Sequence, residues 1–311
     1  MSKAKKSNTR ARKKKSFEPT KSMDDLVGYC EDGETIEVSE NITDYVLLLY
    51  GESASGKTST LANAPGSYVI QLDHQRRGLK IRQTNIPNYS LAKIKKNSNE
   101  HTPWEIVEAT VEKILEDDSV ETVIIDNFKV LYDHASNHYC KKHMVDSLSE
   151  MEDFGVSWNN VDAMYYELFQ SICDSGRGLF LITHQKVKEI TLPDDTVIEQ
   201  IQPDLSGRAM QAVREITDFA FYLGFESDGN RALTVRHEGN DIWYKCCTDV
   251  EEPHFMSPSG TTLNQISGGK SAKECWENLL LAWDNKIKDL NYVAPKSEKK
   301  KKKGRRRSKT K

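Results

Sequence analysis

The sequence predicts an α/β fold with a mostly parallel central sheet flanked by helices, and three observations predict it. Residues 51–58, Gly-Glu-Ser-Ala-Ser-Gly-Lys-Thr, satisfy G-x-x-x-x-G-K-[ST] at every fixed position and directly follow the apolar run 45–50. Apolar runs 67–73 and 121–126 each carry an aspartate, Asp73 and Asp126, to their carboxyl end. A further run from Gly178 breaks into Thr183, His184 and Gln185. In open α/β sheets ligands lie at that carboxyl edge, so Asp73, Asp126, Thr183, His184 and Gln185 are expected to converge there.

The first observation is a P-loop: buried strand, glycine-bearing turn, helix start. Consecutive backbone N–H groups in this arrangement surround phosphate oxygens. Lys57 is expected to reach the β- and γ-phosphates of ATP, and the Thr58 hydroxyl to join the shell of Mg²⁺. The nucleotide-contacting stretch is Gly51, Glu52, Ser53, Ala54, Ser55, Gly56, Lys57, Thr58 and Ser59. Asp126 ends a Walker B pattern some 70 residues further on, where it can hold a Mg²⁺-bound water or the threonine on the metal. ATP and Mg²⁺ are thus the expected cofactors.

Taken in order, residues 28–38 offer an Asp32-Gly33 turn between short alternating segments, a small hairpin within a lead-in of residues 23–43. A core follows over residues 44–240. Its first strand is 45–50, and the helix after the P-loop stops before Pro65-Gly66. The second strand is 67–73. Polar residues 83–100 read as loop with one short strand over 89–94. Thr102 as N-cap, Pro103 at the first helical position and Glu105 at the third open a helix that runs to about Asp117. Strand 121–126, helices 128–147 and 157–173, and strand 178–185 come next, then strands 196–202, 219–225 and 231–236, with a short helix or loop over 205–214. In a C-terminal extension of residues 241–293, residues 271–290 form an amphipathic helix whose Trp276, Leu279, Leu280 and Trp283 pack against the body.

Charge is segregated. Residues 1–22 hold nine Lys/Arg against Glu18 alone, and residues 294–311 hold eleven against Glu298 alone. Removing these 20 basic and 2 acidic residues from totals of 44 and 47 leaves 24 and 45, so the body carries a formal charge of −21. Such basic blocks cannot pack and read as disordered tails, suited to nucleic acid through counterion release. No apolar stretch approaches a membrane span and no secretory signal opens the chain, so a soluble protein inside a cell is expected, with no membrane partner. Cys30, Cys140, Cys173, Cys246, Cys247 and Cys275 form no C-x-x-C and read as reduced thiols.

Other motifs fail on position. Ile266-Ser-Gly-Gly-Lys270 is similar to the transporter signature L-S-G-G-Q but follows Asp126 instead of preceding it. Asn285-Lys-Ile-Lys-Asp289 has one residue too many for the guanine motif N-K-x-D. His134, His138, Cys140 and His143 share one helix, where a packed or solvated face is the simpler reading than a metal site.

The succession of P-loop, strand ending in Asp73, Val-Ile-Ile-Asp126-Asn127 and Leu-Ile-Thr-His184-Gln185-Lys186 resembles the RecA-like ATPases of phages, the single-strand annealing or recombination ATPases often described as AAA-type nucleotide-binding proteins. Gln202-Pro-Asp-Leu-Ser-Gly-Arg208 and Thr217-Asp-Phe-Ala-Phe-Tyr-Leu223 look like the same family's last core section, so the resemblance covers residues 44–236. It implies a RecA-like P-loop NTPase core with Lys57, Thr58 and Asp126 on MgATP, and His184 and Gln185 as sensors of the γ-phosphate. Such ATPases carry a Glu at or just after the second strand to orient the attacking water. Here Leu72-Asp73-His74-Gln75 stands instead, leaving Asp73 or Gln75 for that work and implying slow hydrolysis. Arg208 and Arg214 are candidates for contacting a neighbouring subunit's nucleotide in a homo-oligomer with ATP at its interfaces. The implied partner is single-stranded DNA in phage or viral recombination or replication, in the cytoplasm, or in the nucleus if the host is eukaryotic. Two other readings stay open: a nucleotide or small-molecule kinase with Arg76 and Arg77 in a lid, and a nucleotide-switched interaction module with little hydrolysis.

Overall fold

The computed structural model describes residues 39–73, 80–96, 100–226, 229–237, 239–246 and 254–287. β1, Val46–Gly51, is buried at every position after the first. A run apolar on both faces needs strands on either side and cover above and below. β1 lies between β5 (Gly178–Thr191) and β7 (Phe219–Phe225), parallel to both. Beyond β5 come β4 (Thr122–Asp126), β2 (Ser67–Gln71) and β3 (Gln83–Asn85), again parallel. Beyond β7, β8 (Arg231–Thr234) and β9 (Gln265–Ser267) are antiparallel. The nine-stranded sheet runs β3-β2-β4-β5-β1-β7-β8-β9, and β6 (Val197–Pro203) pairs antiparallel with the far half of β5. This is the expected α/β fold, a mostly parallel central sheet flanked by helices.

The helices are α1 (Lys57–Leu61), α2 (Leu91–Lys96), α3 (Pro103–Leu115), α4 (Phe128–His143), α5 (Val156–Asp174), α6 (Gly207–Ile216) and α7 (Ala272–Trp283). Alternate residues of β1 feed two cores. Leu48 and Tyr50 join Trp104, Leu131, Val161 and Val213 from α3 to α6 on one face. Leu47 and Leu49 join Leu61, Trp276 and Trp283 from α1 and α7 on the other. Cover on both faces is what lets the parallel strands be continuously apolar. Local signals set the helix starts. Thr102 accepts from the Glu105 N–H at 3.3 Å while the Glu105 carboxylate accepts from the Thr102 N–H at 2.6 Å, a closed capping box. Ser271 caps α7 by accepting from the Glu274 N–H at 3.1 Å.

Four expectations are corrected. Residues 91–96 form α2 where a strand over 89–94 was expected, because Leu91 and Ile94 also fit an i, i+3 spacing and Leu, Ala and Lys favour helix over strand. The strand of this region is β3, a polar edge strand that alternation of apolar residues could not mark. β5 does not end at Gln185 but runs on to Thr191, since β6 returns beside it and pairs its polar half. α7 ends at Trp283, short of the expected 290 and ahead of Asn285 in the left-handed conformation, whereas α1 stops before Pro65 as expected. β9 and α7 lie in the sheet and against α1, so residues beyond 241 build part of the body around the loop. The hairpin expected over 28–38 and both basic segments lie outside the described residues. Among the described residues no helix is long and apolar enough to cross a membrane.

Candidate nucleotide-binding site

At the carboxyl edge, Gln71 is level with Asp126 and Asp126 with Ile182, while β5 carries Thr183 and His184 one and two residues further, His184 level with Gly51. From that edge β1 turns into the loop. Gly51 has φ +152°, and a Cβ on it would stand 2.0 Å from the Leu223 carbonyl oxygen of β7, so only glycine lets the strand leave the sheet this close to its neighbour. Ser55 is buried, its hydroxyl donating to the Glu52 carbonyl at 2.9 Å, which ties the loop across itself.

Lys57 is 4% exposed, an unusual state for a lysine. Its Nζ donates to the carbonyls of Gly51 at 2.9 Å and Glu52 at 2.6 Å, so the ammonium is folded into the loop it serves. Thr58 is fully buried, and its Oγ1 donates to Asp126 Oδ2 at 2.6 Å. This contact joins α1 to the end of β4 across the intervening β5. Since α1 has just over one turn, anion affinity here must come from loop amides and Lys57 and not from a long helix dipole.

The remaining expected residues divide. Asp73 Oδ2 and His184 Nε2 are 3.8 Å apart, so the candidate for orienting water and a candidate sensor face each other. Gln185 stands level with Pro203 of β6, and its Oε1 is buried without a hydrogen-bond partner. Thr183 Oγ1 is likewise buried without a partner. Ser53, Ala54 and Ser59 lie along the loop and α1, with Ala54 at φ +65°. Arg208 is engaged in its own chain: Asp162 holds it at 2.7 Å, and its guanidinium lies over the Trp158 ring. Arg214 is exposed at the end of α6. Gln75, Arg76 and Arg77 lie outside the described residues.

Two residues join the site that the sequence reading did not single out. Gln71 is buried beside Asp126, donates through Nε2 to the Asp126 carbonyl at 3.2 Å, and keeps Oε1 without a partner. Its signal was available, as a polar residue at the carboxyl end of a buried strand. Arg231 opens β8 with its guanidinium against Gly56. Nothing local marks it, because that approach depends on pairing β7, β8 and β9.

The donor set fits MgATP. A buried ammonium and loop amides suit a polyphosphate, and a threonine hydroxyl held on a carboxylate supplies two oxygen ligands to a hard cation that keeps most of its waters. Glu52 stands near Tyr222, whose phenol is pushed up to about 12 by burial and by that carboxylate. The histidines of α4 do separate work: His138 Nδ1 lies 2.8 Å from Thr102 Oγ1, whereas His134 is buried in the core. Among the described residues no group of three or more His, Cys, Asp or Glu could hold a metal ion.

Among solved structures, a KaiC-like protein of the hyperthermophilic archaeon Pyrococcus horikoshii is similar over 74% of this chain and 87% of its own, at 11% identity and a TM-score of 0.35. No curated protein matches the sequence. A family model described as an AAA domain matches residues 43–241, which include the P-loop, Asp73, Asp126, His184 and Gln185. That match spans well over half of the chain, and the protein belongs to this AAA-domain family of P-loop ATPases.

Proposed function

We propose that the protein is a Mg²⁺-dependent ATPase that binds single-stranded DNA and turns ATP over slowly, in phage or viral recombination or replication. The observation that carries the nucleotide part is the 2.6 Å bond from Thr58 Oγ1 to Asp126 Oδ2 beside the buried Lys57. Lys57 Nζ, which donates to the Gly51 and Glu52 carbonyls, would turn its hydrogen bonds to phosphate oxygens on nucleotide binding. Thr58 and Asp126 hold Mg²⁺, which when bound draws charge from the phosphate oxygens.

Water for the attack is oriented by Asp73, whose carboxylate accepts its hydrogen bond. His184 Nε2, facing Asp73 Oδ2, keeps that carboxylate in place and ties its position to β5. An aspartate reaches less far than a glutamate, and here it faces a histidine at 3.8 Å, which supports slow turnover. ATP at the interfaces of a homo-oligomer belongs to the same proposal. The DNA part rests on the 20 basic residues of segments 1–22 and 294–311 beside a body of charge −21. The phage or viral setting rests on the sequence resemblance.

Phosphate release from ATP, measured with and without a single-stranded oligonucleotide, tests this. Release that needs Mg²⁺, disappears in Lys57→Ala and rises with the oligonucleotide is expected. Turnover retained in Lys57→Ala overturns the P-loop assignment. Phosphate transferred to a small acceptor in place of water points to the kinase reading instead.

A further inference from the structure

Arg231 is a charged side chain in a place prepared for it. Its guanidinium lies against the phosphate loop: a Cβ on Gly56 would stand 3.4 Å from Arg231 Nη1 and 3.6 Å from Cζ. At its other end, a Cβ on Gly268 would stand 2.4 Å from Arg231 Cβ, while the Gly268 N–H donates to the Arg231 carbonyl at 2.7 Å. Two glycines, one in the P-loop and one just past β9, thus clear both flanks of the same arginine. Behind it stands α7, where burial pushes the Cys275 thiol up and Arg231's charge opposes that shift.

Nη1 is buried and has no hydrogen-bond partner, and among the described residues no carboxylate forms an ion pair with this guanidinium. A guanidinium has five donors, and although Arg231 is half-buried as a residue, a charged donor such as Nη1 that is out of reach of water is ordinarily paired or strongly bonded. Here the positive charge is instead set against the backbone that leads into Lys57 and Thr58, with no side chain between. We infer that Arg231 is a second cation of the polyphosphate site, a positioning residue acting across Gly56 on the phosphates shared by nucleoside di- and triphosphates. The inference rests on the nucleotide-binding reading above. In that role the missing counter-ion is the nucleotide itself, and the strand order β7-β8-β9 serves to bring an arginine from far along the chain to the loop.

Affinity for MgADP, read by fluorescence of a labelled analogue on the full chain, tests this with Arg231→Met and Arg231→Lys. Arg231→Met should bind about tenfold more weakly or worse, the loss expected of a charge-assisted contact. Arg231→Lys keeps the charge and should bind several-fold more tightly than Arg231→Met. The nucleotide-free melting midpoint of Arg231→Met should be unchanged or higher, since the variant removes an unpaired buried donor. Unchanged affinity in Arg231→Met, or equal loss in Met and Lys variants, overturns the inference while leaving the P-loop reading intact. No MgADP binding by the unaltered protein overturns both.

Discussion

Asp126 is held by the Thr58 hydroxyl at its carboxylate and by the Gln71 amide at its carbonyl, so conservative substitution there separates chemistry from folding. Asp126→Asn keeps an oxygen that can accept from Thr58 but loses the charge that favours a divalent cation. Mg²⁺-dependent ATP turnover should fall about a hundredfold or more, a loss of several kcal/mol of charge stabilisation, with the melting midpoint near that of the unaltered protein. Measuring phosphate release beside thermal unfolding checks both halves, and full turnover in Asp126→Asn would remove this residue from the metal site. His134 makes a different residue-scale case. It is 1% exposed with both ring nitrogens lacking a partner, and burial lowers its pKa from 6.5 to about 4. The folded protein therefore holds it neutral, while the unfolded chain takes up a proton below about pH 6.5. Stability is undiminished above that pH and declines as pH falls toward about 4, by up to about 3 kcal/mol. In His134→Leu this decline should be smaller, so that the variant is the more stable protein at about pH 5 in urea titrations. Parallel pH profiles for the two proteins would show that His134 is not the group responsible.

At the scale of elements, legibility followed how local each signal is. α3 could be located from three residues because its start is built from neighbours: Thr102 and Glu105 satisfy each other's N–H groups, and Pro103 has no N–H to satisfy at the first helical position. Thr102 also meets His138 Nδ1 of α4 at 2.8 Å, so Thr102→Ala should cost about 1–2 kcal/mol, the upper part of the range for an N-cap. A loss below a few tenths of a kcal/mol in chemical unfolding would mean that Glu105 and Pro103 hold the start of the helix alone. β1, β4 and β7 were legible for the same reason, as each is an apolar run bounded by its own turn residues. α2 was not, because its six residues are too few to establish a period and follow Tyr89, which with Leu91 alternates as a strand would. β3 and the far half of β5 are polar, and they are strands only because β2 and β6 lie beside them. Such pairing is set by partners distant in sequence, which no window of neighbouring residues reports. The site divides along the same line. Lys57, Thr58 and Asp126 announce themselves through motif and strand end, whereas Arg231 reaches Gly56 only through two antiparallel pairings that follow β7.

For the whole molecule the governing quantity is the distribution of charge. A body of −21 repels a phosphate backbone, so any affinity for single strands has to come from the segments 1–22 and 294–311, which bring nine and eleven basic residues. Each phosphate these residues neutralise releases counterions and adds about 0.7 to the slope of log affinity against log salt for a single strand. The full chain should therefore bind a labelled oligothymidine tightly at low salt and lose affinity steeply as salt rises. A chain lacking both segments should show no measurable binding by fluorescence anisotropy, because removal takes away 20 basic and only 2 acidic residues and leaves the repulsion unopposed. Chains lacking one segment should fall between, with the slope reduced roughly in proportion to the cations removed. Nucleotide affinity should be the same in all of them, since Lys57, Thr58 and Asp126 lie within the body. A shortened chain that binds the oligonucleotide as the full one does would locate the DNA surface on the acidic body, where the charge argument says it cannot be.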